Sequence, residues 1–284
     1  MTTPNENDGA SGRMSRKKIA QRLRDMADLL EAQDAGPFRV RAYRRAAETV
    51  ESHDQSPAEI LHSSGVEGLT DLPNIGEGIA SAIEEMVTTG RWSQLERIRG
   101  EADPEQLFRN IPGIGPELAQ SIHEELHADS LEALEIAAHD GRLETVPGIG
   151  PRRAEAIRES LEARLSRRRR RGQSGHDEPP VSVLLEVDED YRRQAEAGNL
   201  RRIAPRRFNP ERKAWLPVMH VDREGWDMTV LFSNTARAHD LGRTRDWVVI
   251  YFSRDGGPER QRTVVTETSG PLEGRRVVRG REGD

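Results

Sequence analysis

Val146-Pro147-Gly148-Ile149-Gly150-Pro151 decides how this chain is read, because close copies stand upstream as Ile111-Pro112-Gly113-Ile114-Gly115-Pro116 and Leu72-Pro73-Asn74-Ile75-Gly76-Glu77. Each copy sets an aliphatic residue between two turn residues. An amphipathic run with Ala-x-x-Ile then follows, at Ala80, Ala119 and Ala154. A tight turn of this kind feeds backbone N–H groups into the start of a helix, and such a start is an anion site, so the expected ligand is phosphate. In the first copy Asn74 replaces the glycine, and Asn is the residue that best tolerates a left-handed backbone after Gly.

Upstream of the repeats, Ile19, Leu23, Met26 and Leu30 recur at helical steps and stop before Gly36-Pro37. Tyr43, Ala46, Ala47 and Val50 mark a second helix with arginines splayed around it, and Ser56-Pro57 opens a short third. Helices after the repeats carry Ile79, Ile83 and Met86, then Leu118, Ile122 and Leu126, then Ile157, Leu161 and Leu165. Pro151 suits a first helical position, where its missing N–H costs little. Residues 1–13 read as a disordered lead. Five arginines at 167–171, then Gly172-Gln173-Ser174-Gly175 and Pro179-Pro180, predict a basic flexible linker over 167–180.

Beyond the linker the composition shifts. Residues 181–187 form a β-branched run read as a strand. Apolar segments 215–221 and 226–232 flank Arg223-Glu224-Gly225, and 247–252 and 263–266 flank Asp255-Gly256-Gly257, so both pairs read as hairpins. Short helices are expected over 191–197 and 235–241. The expected fold class is an all-α helix-hairpin-helix N-terminal region followed by a small α+β C-terminal domain with an antiparallel sheet. Its divisions are 14–100 with the first hairpin, 101–166 with the other two, and 181–284.

A length of 284 residues fits about two domains. No run approaches the roughly 20 apolar residues of a membrane span, and the polar N-terminus lacks a signal-peptide core, so a cytoplasmic, nucleoid-associated protein without membrane partners is expected. With no cysteine, disulfide and thiolate chemistry are excluded. The net charge of −6 hides a gradient: residues 51–151 hold 20 acidic and 5 basic side chains, whereas 152–171 hold 9 basic and 3 acidic. Arginine outnumbers lysine throughout, which fits either a high-GC genome or a salt-adapted cytoplasm.

With these residues in view, 15–166 resembles the N-terminal part of family X DNA polymerases, the polymerase beta type. The resemblance rests on Pro37-Phe38-Arg39-Val40-Arg41-Ala42-Tyr43 and on three hairpins in this order. It implies a phosphate pocket at Arg39 and Tyr43, with Gly78 where a third basic residue is expected. Ala82 stands where that family has a lysine forming a Schiff base with an abasic sugar. Only an amine condenses with that aldehyde, and no lysine lies between Lys18 and Lys213, so lyase activity is expected to be lost. The nucleotide-binding Gly-Ser motif of that family's catalytic palm is absent too, and the chain is expected not to be an enzyme. No cofactor is required, though the resemblance extends to a monovalent cation at hairpin carbonyls.

Hairpin amides position a phosphate backbone and read no bases, so the expected partner is DNA of any sequence, duplex, nicked or gapped. The candidate contacts are Asn74 and Gly76; Gly113, Ile114 and Gly115; Gly148, Ile149, Gly150, Arg152 and Arg153; Arg39 and Tyr43; and Arg167 and Arg168. The third hairpin is the principal one, because glutamates flank the first two and arginines the third. The expected role is an accessory factor in DNA repair, acting with repair proteins. Two alternatives stand beside it. One is a degenerate nucleotidyltransferase or metal-dependent nuclease built on 181–284, for which Asp188 and Asp190 have carboxylate spacing. The other is an adaptor whose acidic middle docks a basic partner. The segment 200–208, with five arginine or aromatic side chains, is either a nucleic-acid loop or a solvated connection.

Overall fold

Helical periodicity in the first hundred residues produces five helices: α1 (Arg16–Ala32), α2 (Pro37–Ser52), α3 (Pro57–Thr70), α4 (Glu77–Thr89) and α5 (Ser93–Arg99). The computed structural model describes residues 14–164 and 178–284; the expected lead, most of the expected linker, and the candidate contacts Arg167 and Arg168 lie outside them. Ile19, Leu23, Met26 and Leu30 on α1 meet Val40, Ala46 and Val50 on α2 in a core completed by Ile83, Met86 and Trp92. Ser56 caps α3 reciprocally with Glu59, whose carboxylate accepts from the Ser56 amide at 2.6 Å.

A second core lies in the tandem that follows, α6 (Pro104–Phe108), α7 (Pro116–Leu126), α8 (Leu131–His139) and α9 (Pro151–Arg164). Phe108, Ile111, Ile122, Leu134, Leu143 and Ile157 are fully buried or nearly so within it. Among the described residues no helix is long and apolar enough to cross a membrane.

The C-terminal part opens with α10 (Val181–Glu196), where a strand over 181–187 was expected. Val183, Leu184, Val187 and Tyr191 fall on one helical face against the sheet, so the β-branched run is a helix whose apolar face overrides propensity. Six antiparallel strands follow in chain order: β1 (Arg201–Ile203), β2 (Leu216–Arg223), β3 (Trp226–Phe232), β4 (Val248–Arg254), β5 (Arg260–Thr266) and β6 (Arg276–Val278). The short helix α11 (Ala236–Asp240) lies between β3 and β4. Glu224 and Gly225, and likewise Asp255 and Gly256, have positive φ at their hairpin tips, as a turn matched to strand twist requires.

Both sheet faces are covered. Trp226, Met228, Val230 and Phe232 alternate onto the α10 side, where the Phe232 ring meets Tyr191 edge-on at 4.8 Å. The intervening Thr229, with Tyr251 beside it on β4, faces the helical region. Every residue from Val248 to Phe252 is buried, the pattern of a strand with two apolar neighbours.

Contacts between helices and sheet form a polar joint around one cation. Arg97 on α5 pairs with Asp129 at 3.2 Å and with Glu259, while its guanidinium lies 3.4 Å from the Tyr251 ring centre. The Tyr251 hydroxyl donates to Asp129 at 3.1 Å. Burial alone would depress Arg97, but Asp129 and Glu259 hold it above its ordinary value. Asp129 is raised to about 6, since desolvation exceeds the attraction of Arg97. A second contact joins the Arg206 amide to the Gly100 carbonyl at 2.6 Å, and Gly100, at φ 78, has no room for a Cβ beside Ala204.

Candidate nucleic-acid interface

The three hairpins share one backbone. Asn74, Gly113 and Gly148 are left-handed at φ 64, 86 and 87, and Ile75, Ile114 and Ile149 donate back across the turn at 3.3, 3.1 and 3.0 Å. Gly76 and Gly115 then begin their helices at φ −82 and −83. The isoleucines are buried and anchor each turn in its core, so the peptide groups around the glycines face outward. The first-turn amides of a helix have no intrahelical acceptor and carry its positive end, which suits a phosphate oxygen.

What lies in front of those amides differs. At the second and third hairpins, a Cβ built on Gly113, Gly115, Gly148 or Gly150 would meet nothing within 4 Å. At the first, the Gly78 amide donates to the Gly256 carbonyl at 2.6 Å, and the same hypothetical Cβ on Gly78 would lie 2.6 and 2.8 Å from the Gly257 and Gly256 oxygens. The β4–β5 turn thus occupies the helix start of the first copy. Asn74 remains exposed, with its amide donating to Thr49 at 3.3 Å, and Gly76 lies under the same turn, 3.6 Å from the Gly256 oxygen to its would-be Cβ.

Arg39, Tyr43, Gly78 and Ala82, far apart in sequence, line one cavity of about 270 Å³ beneath that turn. Arg39 donates to Thr229 on β3 at 3.2 Å, and Tyr43 to Gln94 at 3.2 Å. Burial raises Tyr43 above its ordinary range. The cavity also holds carboxylates: Asp227 from β3, Glu259 from the β4–β5 turn, neither singled out by the sequence reading, and Glu85 from α4, expected only as one of the glutamates flanking the first hairpin. Burial lifts Glu85 to about 7 against the opposing bonds from Ser93, whose amide donates at 2.9 Å. No periodicity marks these acids, because their common neighbourhood arises only when the sheet docks.

At the third hairpin Arg152 is exposed, and the Arg153 guanidinium donates to the Gly148 carbonyl at 2.8 Å. A protein cation therefore sits on one of the carbonyls for which the resemblance implied a monovalent ion. At the second, Glu117 and Glu124 flank the turn, while Glu125 is paired with Arg237 of the C-terminal part. Asp188, the first carboxylate of the nuclease alternative, is 1 % exposed and held by Arg276 at 2.5 Å and Arg192 at 3.1 Å. Asp190 pairs with Arg193.

A helix-hairpin-helix domain family matches residues 14–92, and a SAM-like helix-hairpin-helix tandem family matches 66–129 and 105–163. The chain is 30 % identical over 133 residues to the DNA polymerase/3'-5' exonuclease PolX of Bacillus subtilis, covering 46 % of this chain and 22 % of that protein. It is 37 % identical over 83 residues to DNA polymerase IV of Saccharomyces cerevisiae, covering 29 % of this chain and 13 % of that one. The chain spans less than a quarter of the length of these curated relatives. Residues 14–163 therefore consist of helix-hairpin-helix domains matching the N-terminal part of family X DNA polymerases, and a six-stranded antiparallel sheet follows them.

Proposed function

We propose that this chain is a non-catalytic DNA-binding protein whose second and third hairpins hold duplex, nicked or gapped DNA by its phosphates, without reading sequence. The single observation that carries the reading is the difference among the hairpins: the glycines of the later two face open space, while the first spends its helix start on Gly256. Such amide contacts position DNA and carry no base information. Arg152 beside the third hairpin adds the long-range attraction that the acidic middle lacks.

Absence of catalysis is part of the proposal. Ala82 offers no amine to an abasic sugar, and Asp188 is committed to two arginines instead of a metal. An accessory role in DNA repair, and a place in the cytoplasm at the nucleoid, are part of the same proposal. Part of the acidic stretch that would suit an adaptor is met within the chain, since Arg207 pairs with Glu105 and Arg237 with Glu125.

The test is a gel-shift titration of a labelled gapped duplex with the full chain and its Gly115→Ala, Gly150→Ala double variant. A charge-assisted hydrogen bond lost at each site costs about 1.5–3 kcal/mol, so affinity should fall about ten-fold or more. Equal affinity at low and moderate salt would overturn the hairpin mechanism.

A further inference from the structure

The loop 204–215 between β1 and β2 presents an aromatic ring in an unusual way. Phe208 is 45 % exposed and left-handed at φ 53, a conformation that a bulky side chain seldom adopts. The loop around it is firmly held. The buried Asn209 side chain accepts from the Lys213 amide at 3.1 Å and donates to the Lys213 carbonyl at 2.8 Å. The Asn234 amide reaches the Arg207 carbonyl at 3.4 Å, and the Arg206 amide is fixed to Gly100.

The Phe208 ring belongs to an aromatic cluster. Phe208 lies 4.6 Å from the His239 ring, centre to centre, and His239 meets Trp215 edge-on at 6.0 Å. Asn234 orients the imidazole: its Oδ1 can only accept, so His239 Nε2 donates to it, at 2.7 Å. Burial lowers the basicity of His239.

Around this cluster the charge is one-sided. Residues 200–213 carry six basic side chains and one acid, Glu211. Arg201, Arg207 and Lys213 are paired with Asp34, Glu105 and Glu211. Arg202, Arg206 and Arg212 are exposed and have no acidic partner among the described residues. The Arg207 guanidinium lies 5.1 Å from the centre of the Phe208 ring, and a part-exposed aromatic ring on a loop rich in exposed arginines is complementary to a polyanion with free aromatic faces. Duplex DNA hides its base faces in the stack; a single strand offers them, and base stacking on an aromatic side chain is tolerant of sequence.

We propose that Phe208, backed by His239 and Trp215 and flanked by Arg206 and Arg212, is a stacking platform for an unpaired base of single-stranded DNA. The platform belongs to the C-terminal part and does not depend on the hairpins. It would give the protein a hold on the bare strand at a gap or flap, in addition to its hold on the duplex.

Phe208→Gly separates binding from folding, because glycine removes the ring and relieves the positive φ together. Fluorescence anisotropy with a labelled oligo-dT of about 12 nucleotides, in about 50 mM salt, should show binding by the full chain. Phe208→Gly should weaken it about five-fold or more, with an unchanged or higher melting temperature, and Phe208→Trp should stay within about two-fold of wild type. Duplex binding should be unaffected by either. No oligo-dT binding by wild type, or Phe208→Gly binding as tightly as wild type, would overturn the platform. The Gly115→Ala, Gly150→Ala variant should keep oligo-dT affinity while losing duplex affinity, so either reading can fail alone.

Discussion

The amide of Gly78 and the carbonyl of Gly256 meet at 2.6 Å, which makes the first hairpin one of the points that fasten the sheet to the helices. The same local backbone that leaves the second and third hairpins open to a phosphate here receives a peptide oxygen, and both ligands are acceptors aimed at a helix start.

Alanine in two copies separates the fastening from the open sites. Gly78→Ala places a methyl 2.6 Å from the Gly257 oxygen, and backbone must move. Overpacking of this kind costs about 1–3 kcal/mol, which outweighs up to about 1 kcal/mol gained from replacing glycine in a helix. Gly115→Ala, at φ −83 with open space ahead, should change stability by no more than about 0.5 kcal/mol. Urea denaturation of both variants checks the contrast.

Removing the cation at the joint should be more damaging. Arg97→Ala leaves the buried Asp129 and the half-buried Glu259 without their partner, a loss of about 3–5 kcal/mol. The loss should shrink on acidification. Asp129 already has a folded value of about 6, above its ordinary one, so protonation favours the folded state as pH falls through that value. Without Arg97 that protonation comes at still higher pH. Denaturation of wild type and variant at pH 7.5 and pH 5 should show the gap narrowing at the lower value.

His220 lies between the two parts, its Nδ1 3.0 Å from Thr229 Oγ1 and its Nε2 2.9 Å from Gln33 Oε1. Burial lowers it to about 3 from an ordinary value near 6.5. A depressed histidine contributes stability that is full above 6.5 and is lost as pH falls toward the folded value. His220→Gln should therefore be costly at pH 7 and relatively less so at pH 4.5. Melting temperatures of the pair across that range check the convergence.

At the third hairpin the two arginines should behave differently on DNA. Arg152 is exposed and free to meet a phosphate, so Arg152→Ala should reduce the slope of log affinity against log salt by about one. Arg153 already donates to Gly148 at 2.8 Å, and Arg153→Ala should alter the slope less. Duplex titrations at several salt concentrations distinguish the two.

The hairpins were legible because a left-handed position needs Gly or Asn and the spacing to the next helix is fixed; Asn74, Gly113 and Gly148 all take the backbone their identities announce. Pattern also located β2 to β5, whose apolar segments are long and strong. It missed β1 and β6, three residues each, because so short a strand carries no period. It mistook the opening of α10 for a strand because Asp188 interrupts the apolar face, and the acid is buried there through Arg276, a partner distant in sequence. Arg39 and Tyr43, expected by resemblance at a phosphate pocket, line one cavity with Gly78 and Ala82, but nothing local to them foretold that Asp227 and Gly256 would close over it.

The strands follow one another in chain order, so each new strand pairs with the one made just before it. During synthesis, domains generally fold as they emerge, N-terminal first. The helical region is complete long before Gly256 leaves the ribosome, and until then the Gly78 amide faces solvent. Docking of the β4–β5 turn is thus a late event in the life of the nascent chain. A truncation before that turn would release a protein with three vacant helix starts instead of two.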